Sequence, residues 1–215
     1  MMPKLRTPDY AELSPYALLR DLPCLAANMI PQPLEHYCTL SGLKAWQLLE
    51  EAIFYFFRQV LMLETLRMGG NSLFKHEPEG IVLANRAVNP FALMYECKSR
   101  RKPYVMSSDD VLRYRDYIRL KKAEVKERHH LDLTHFIIVS GGFGGRTGPR
   151  LAQLDAEAVT VCLAPAEHMR RACLLVRRLE YPDVVLLNHR RLFVRGLMCD
   201  DSLASCFGLS ALKAM

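Results

Sequence analysis

Glu79, Glu96 and Lys98 have the types and spacing to hold a hard cation and act beside it. Glu79 stands before the apolar run Ile81-Val82-Leu83-Ala84, and Glu96 closes the run Phe91-Ala92-Leu93-Met94-Tyr95, with turn-forming residues from Asn85 to Pro90 between them. Two such runs joined by a turn predict a hairpin, and its pairing would set both carboxylates side by side at one end of a sheet. Mg²⁺ takes oxygen ligands in near-octahedral geometry and keeps several waters, so two carboxylates, the Cys97 carbonyl and a phosphate oxygen would suffice. Lys98 lies two residues beyond Glu96, on the same strand face. There its ammonium would orient or help deprotonate an attacking water, or stabilise charge building on a phosphate, with the metal as Lewis acid. A Glu-x-Lys triplet alone carries no information, because its plain reading is a solvated strand end. What favours a site is the context: an apolar strand delivers the triplet, an acid followed by Gly80 precedes it, and Arg100-Arg101-Lys102 follows.

The elements that must position these residues are legible as periodicities. From Leu43 to about Leu66 apolar residues recur at helical spacing (Leu43, Trp46, Leu49, Ile53, Phe56, Phe57, Val60, Leu61, Leu63), which predicts one long core helix stopped by Met68-Gly69-Gly70-Asn71. Ser107-Ser108-Asp109 can cap a helix running through Val111, Tyr114, Tyr117, Ile118 and Val125. His135 to Val139, ending at Gly141-Gly142, predicts a buried third strand, and Val159 to Leu163 a fourth. A helix from about Pro165 to Leu179, a short apolar run at Val184 to Leu187 and a helix from about Arg190 to Leu197 complete the pattern. Strands alternating with helices predict an α/β domain with a mixed β-sheet core flanked by helices. Residues 1–40, interrupted by Pro3, Pro8, Pro15, Pro23, Pro31 and Pro33, are expected to form an N-terminal helical appendage, with residues 41–215 as the main domain.

Bulk properties narrow the partners. A net charge of +6 suits an anionic partner, and duplex nucleic acid is the commonest. No apolar run approaches the roughly eighteen residues of a membrane span, and Met1 to Tyr10 lacks the apolar core of a signal peptide, so no membrane partner is expected. The seven cysteines are scattered and never spaced as CxxC, indicating neither a disulfide framework nor a zinc site. A reduced, cytoplasmic setting is the expectation.

Other candidates have plainer readings. The glycine run from Gly141 to Gly148 lacks the Gly-Lys-Ser/Thr ending of a phosphate loop and reads as a flexible turn, whose amides and Arg146 would at most touch a DNA phosphate. His129-His130, Asp132 and His135 match no familiar ligand spacing and read as loop histidines. The clusters Lys121, Lys122, Lys126, Arg128 and Arg170, Arg171, Arg177, Arg178 read as solvated faces, and Trp46, Phe54, Phe56 and Phe57 as core.

Pro78-Glu79-Gly80 followed by Glu96-Cys97-Lys98 resembles the PD-(D/E)xK signature, with spacing similar to that of the FokI-type cleavage domains of type IIS restriction enzymes. Leu49-Glu50, Phe56-Phe57 and Gly69-Gly70 are similar to the helix before that signature, Asp109, Arg113 and Tyr114 to the helix after it. Phe136 to Gly145 and Ala152-Gln153-Leu154 resemble the family's next strand and turn, so the likeness spans roughly residues 45 to 200. It implies a restriction-endonuclease-like fold over 41–215 and hydrolysis of DNA phosphodiesters that depends on Mg²⁺, with Mn²⁺ as substitute. It also implies metal ligation by Glu79 and Glu96 and a catalytic role for Lys98. Arg100, Arg101 and Lys102 would contact the backbone of double-stranded DNA, and Glu50 is a possible extra acid. The resemblance further implies a homodimer, at least transient, paired through Asp109 and Arg113, which stand one helical turn apart and would otherwise form an intrahelical salt bridge. No sequence reader is visible, so recognition would fall to a partner subunit or another part of a larger machine. The family's first acid is normally Asp; here it is Glu79, one methylene longer. That departure motivates the alternative of a catalytically inactive DNA-binding or dimerisation module, with an RNA-directed nuclease as a further rival.

Overall fold

The strands at the centre of the sheet are those that are largely apolar on both faces. In the computed structural model, which describes residues 14–68, 77–87, 89–145, 147–180, 183–184 and 187–208, β2 (Gly80–Ala84), β3 (Phe91–Lys98) and β4 (Leu133–Ser140) are almost wholly buried. With β1 (Glu64–Arg67), β5 (Thr160–Pro165) and β6 (Gly196–Leu197) they form one six-stranded sheet in the order β1-β2-β3-β4-β5-β6. β1, β2 and β3 are antiparallel neighbours; β3 to β6 run parallel. The sheet is thus mixed, as expected, and burial on both faces is what parallel strands covered by helices require.

Strand parity divides the core in two. On one face Val82, Leu93, Tyr95, Cys97, Ile137 and Val139 pack against helices α1 (Pro15–Arg20), α2 (Leu22–Ala26), α3 (Gln32–Ser41) and α4 (Ala45–Tyr55), together with α7 (Ala166–Val176), α8 (His189–Leu192) and α9 (Asp200–Phe207). On the other, Ile81, Leu83, Ala92, Met94, Phe136 and Ile138 pack against α5 (Ser108–His129) and α6 (Thr147–Leu154). The segment read as an appendage contributes Leu18, Leu19, Leu22, Leu25 and Leu34 to the first of these cores.

The long helix predicted from Leu43 to Leu66 ends earlier. α4 stops at Tyr55, a π-helical turn follows over Phe56–Val60, Met62 takes a left-handed φ of 54°, and the chain enters β1 at Glu64. Phe56, Phe57, Val60, Leu61 and Leu63 are all buried whichever conformation carries them, so hydrophobic spacing could not mark the change. The expected stop at Gly69 to Asn71 lies outside the described residues. Trp46, expected in the core, is 46% exposed, while Phe56 and Phe57 are fully buried. α5 begins as predicted: Ser107 Oγ accepts from Asp110 N at 3.0 Å, and the Asp110 carboxylate accepts from Ser107 N. The tail differs, since the helix expected from Arg190 to Leu197 is the short α8 followed by β6; the φ of 89° at Gly196 breaks any helix there.

Two histidines tie this core to pH. His135 lies in β4 beneath the Phe91 ring, not in a loop, and His189 is buried with neither ring nitrogen hydrogen-bonded. Burial lowers both to about 4 from an ordinary 6.5, with Arg190 adding to the effect at His135. Between those values the unfolded chain holds protons that the folded chain does not, so their contribution to stability is full above 6.5 and is lost as pH falls toward 4. Urea unfolding at pH 7 and pH 4.5 is expected to show a loss on the order of 2 kcal/mol, largely abolished in the His189→Leu, His135→Leu double variant.

Candidate active site

The hairpin register sets the first two acids. Gly80 pairs with Tyr95 and Ile81 with Met94, so one step further places Glu79 opposite Glu96; Glu79 N donates to Tyr95 O at 3.1 Å. Glu79 shares the parity of Ile81 and Leu83, and Glu96 and Lys98 share that of Ala92 and Met94. All three side chains therefore belong to the α5 side of the sheet. Gly80 is required between them: a Cβ there would lie 2.5 Å from the ring of Tyr95, which is buried against Phe57. Gly80→Ala is expected to cost about 1–3 kcal/mol in a thermal or urea melt by displacing that ring.

Glu96 is 3% exposed, and its Oε1 accepts from Lys98 Nζ at 2.5 Å. Its Oε2 is buried without a hydrogen-bond partner, an arrangement that costs free energy unless something fills it. Arg113 Nη2, from α5, lies 3.8 Å from Glu96 Oε1. Burial, then the negative charges of Glu96 and Glu50, push the Glu79 carboxyl up to about 9. Glu50, from the helical layer on the other face, is raised to about 8 by burial and then by Glu96, with Lys98 and Arg67 pulling it back. Three acids thus act on one another's charge at one end of the sheet, with Lys98 among them. Among the described residues no three His, Cys, Asp or Glu side chains already close on a single point, so this is a cluster that a cation would have to draw together.

Neighbouring residues frame the cluster. Glu51, 1% exposed, is held by Arg67 of β1, and Arg67 lies over Phe54 at 3.8 Å, fixing α4 against the edge of the sheet. Sequence reasoning missed Glu51 and Arg67, because a buried glutamate at a helical position looks like any surface one. The Cys97 side chain points into the first core, consistent with only its backbone facing the site.

The other predicted residues are distributed as follows. Arg100, Arg101 and Lys102 are exposed on the loop leaving β3, with Arg100 anchored by its amide to Ala26 O at 2.9 Å. Arg146 lies outside the described residues. The glycine turn beside it is pinned rather than loose: Tyr104 N donates to Gly142 O at 2.8 Å and Gly144 N to Tyr104 O at 2.9 Å. Asp109 is exposed, and the ion pair expected between it and Arg113 is replaced by Arg113 with Asp110 at 2.7 Å. In that position the guanidinium also lies 3.8 Å from Glu96. Lys121, Lys126 and Arg128 are engaged by Glu124 and Asp132, and Lys122 by the Glu157 carbonyl, as plain structural contacts.

This architecture, a mixed sheet with helices on both faces and acids where β2 and β3 meet, is an α/β fold of the restriction-endonuclease kind. It is similar to the solved structure of the restriction endonuclease FokI bound to DNA, with a TM-score of 0.62 and 16% identity over 84% of this chain and 30% of that one. A second FokI structure gives a TM-score of 0.56 at 16% identity, covering 72% of this chain and 28% of that one. The chain therefore spans less than a third of the length of the proteins it resembles. No protein-family model and no curated protein matches its sequence.

Proposed function

We propose that this chain is a divalent-metal-dependent endonuclease that hydrolyses DNA phosphodiester bonds. The observation that carries it is Glu96: a buried carboxylate with Lys98 on one oxygen and nothing on the other, facing two more acids whose charges it opposes. Mutual repulsion among buried acids, with an orphaned oxygen between them, is the donor set that a hard cation relieves. Glu79 and Glu96 would hold Mg²⁺ or Mn²⁺, with the Cys97 carbonyl, and Glu50 as a further acid. When bound, the ion supplies Lewis-acid polarisation of the phosphodiester. Lys98, fixed by its ion pair, would orient the attacking water and offset charge gathering on the phosphate. Arg100, Arg101 and Lys102, exposed beside the β3 end, would hold the duplex backbone without reading its sequence.

The likeness to FokI bound to DNA supports DNA as a partner; with one site in each chain, two chains would pair to cut both strands of a duplex. The exposed Leu112 and Leu120 of α5, 59% and 66% accessible and on the same helix as Asp109, would suit such a pairing face. Sequence recognition would come from a partner subunit or another part of a larger machine, and a cytoplasmic role in restriction, phage defence or mobile-element processing fits. Nicking of supercoiled plasmid with and without Mg²⁺ or Mn²⁺ tests the reading. Metal-dependent cleavage rising more than linearly with protein is expected. DNA binding with no cleavage at any concentration would instead favour an inactive module, for which Glu79 in place of Asp is the motivating feature.

A further inference from the structure

We propose that Arg113 is a phosphate-binding residue of the cleavage site, an assignment that rests on the nuclease reading above. The guanidinium lies beside two rings, 5.3 Å from the centre of Tyr114 and 6.0 Å from that of Tyr117. Its Nη2 reaches Asp110 at 2.7 Å and stands 3.8 Å from Glu96 Oε1, the atom that also binds Lys98. Its Nε is buried and has no hydrogen-bond partner. A guanidinium offers five donors in a planar fork, so one carboxylate contact leaves most of the fork unspent.

Position and chemistry together choose the ligand. Arg113 and Lys98 approach the same carboxylate oxygen from α5 and from β3, so an anion lying over Glu96 meets both cations. The non-bridging oxygens of a phosphodiester are the acceptors that a planar fork fits, and the closer ion pair with Asp110 leaves the fork 3.8 Å from Glu96. A role at a subunit interface alone does not account for a buried Nε, nor for the approach of Nη2 to Glu96.

The test compares the native chain, Arg113→Ala and Arg113→Lys by single-turnover cleavage of duplex DNA in Mg²⁺ over a wide range of protein concentration. Binding of the same duplex without divalent ions is measured at several salt concentrations. Arg113→Ala is expected to cut about 100-fold more slowly at every protein concentration, including those at which the native rate no longer rises. Its log–log salt slope should be smaller by about 1. Arg113→Lys should recover the slope and not the rate, since a point charge replaces the fork. Recovery of the Arg113→Ala rate at high protein would overturn the assignment in favour of subunit pairing, as would an unchanged rate. If Arg113→Ala does not fold, judged by its melt, the lysine variant decides: native-like cleavage overturns the assignment and slow cleavage with a native slope upholds it. Failure of the native chain to cut would defeat the nuclease reading and this assignment together, whereas native cleavage with an indifferent Arg113 defeats this assignment alone.

Discussion

Lys98→Ala is expected to lower the metal-dependent rate of DNA cleavage by two to three orders of magnitude, roughly 3–4 kcal/mol of transition-state stabilisation, while duplex binding changes by less than about tenfold. The reason is geometric. Lys98 is the cation fixed on Glu96 at the end of β3, with its side chain 13% exposed, so its charge acts where solvent screens poorly. Removing it also leaves Glu96 buried beside Glu79 and Glu50 with less compensation, so the variant should melt lower by a few kcal/mol. The two effects separate by adding a control: Glu96→Gln with Lys98→Met removes both charges, which should restore much of the stability and none of the cleavage. Lys98→Ala that cuts plasmid at the native rate would remove Lys98 from the chemistry, and a double variant that cuts would remove the site.

Much of this site was legible because strands carry their information in short, regular code. The alternation of Ile81 and Leu83 with Val82, and of Ala92 and Met94 with Leu93, fixes which face Glu79, Glu96 and Lys98 share, and the turn between Asn85 and Pro90 fixes their register. The α5 cap was equally local, resting on Ser107 and Asp110 alone. What was not legible depends on tertiary contact. β1 hid behind an apolar run because burial continues from Phe57 through the π-turn to Leu63, and a buried run looks helical or extended alike. Arg113 was read by its spacing from Asp109, yet its partners are set by where α5 lies over the sheet, which brings Glu96 within 3.8 Å. Leu18, Leu22 and Leu25 lie among six prolines of the first 40 residues, a composition typical of a peripheral segment, and only the packing against α4 and α7 shows what they cover.

Glu79→Gln should move stability in opposite directions with and without metal. In the native chain burial and the charges of Glu96 and Glu50 raise the Glu79 carboxyl to about 9 from an ordinary 4.5. A group raised in this way favours the folded state below its unfolded value, and that contribution is lost as pH climbs through 4.5 toward 9. The neutral amide escapes the loss. In EDTA, Glu79→Gln should therefore match the native chain near pH 5 and exceed it at pH 9 by about 1–3 kcal/mol, a figure kept well below the full shift because Glu50 and Glu96 share the repulsion. Adding Mn²⁺ at pH 8 reverses the order. A cation held by Glu79 and Glu96 would take the place of the missing proton, so the native chain should gain stability in proportion to the logarithm of metal concentration. The amide, a weaker ligand without charge, should reduce that gain to little or nothing. Calorimetric melts across this pH range, with and without Mn²⁺, read both halves. An amide variant less stable than the native chain in EDTA at pH 9 would mean that the Glu79 carboxylate is not under repulsion. An undiminished Mn²⁺ shift would place the metal elsewhere.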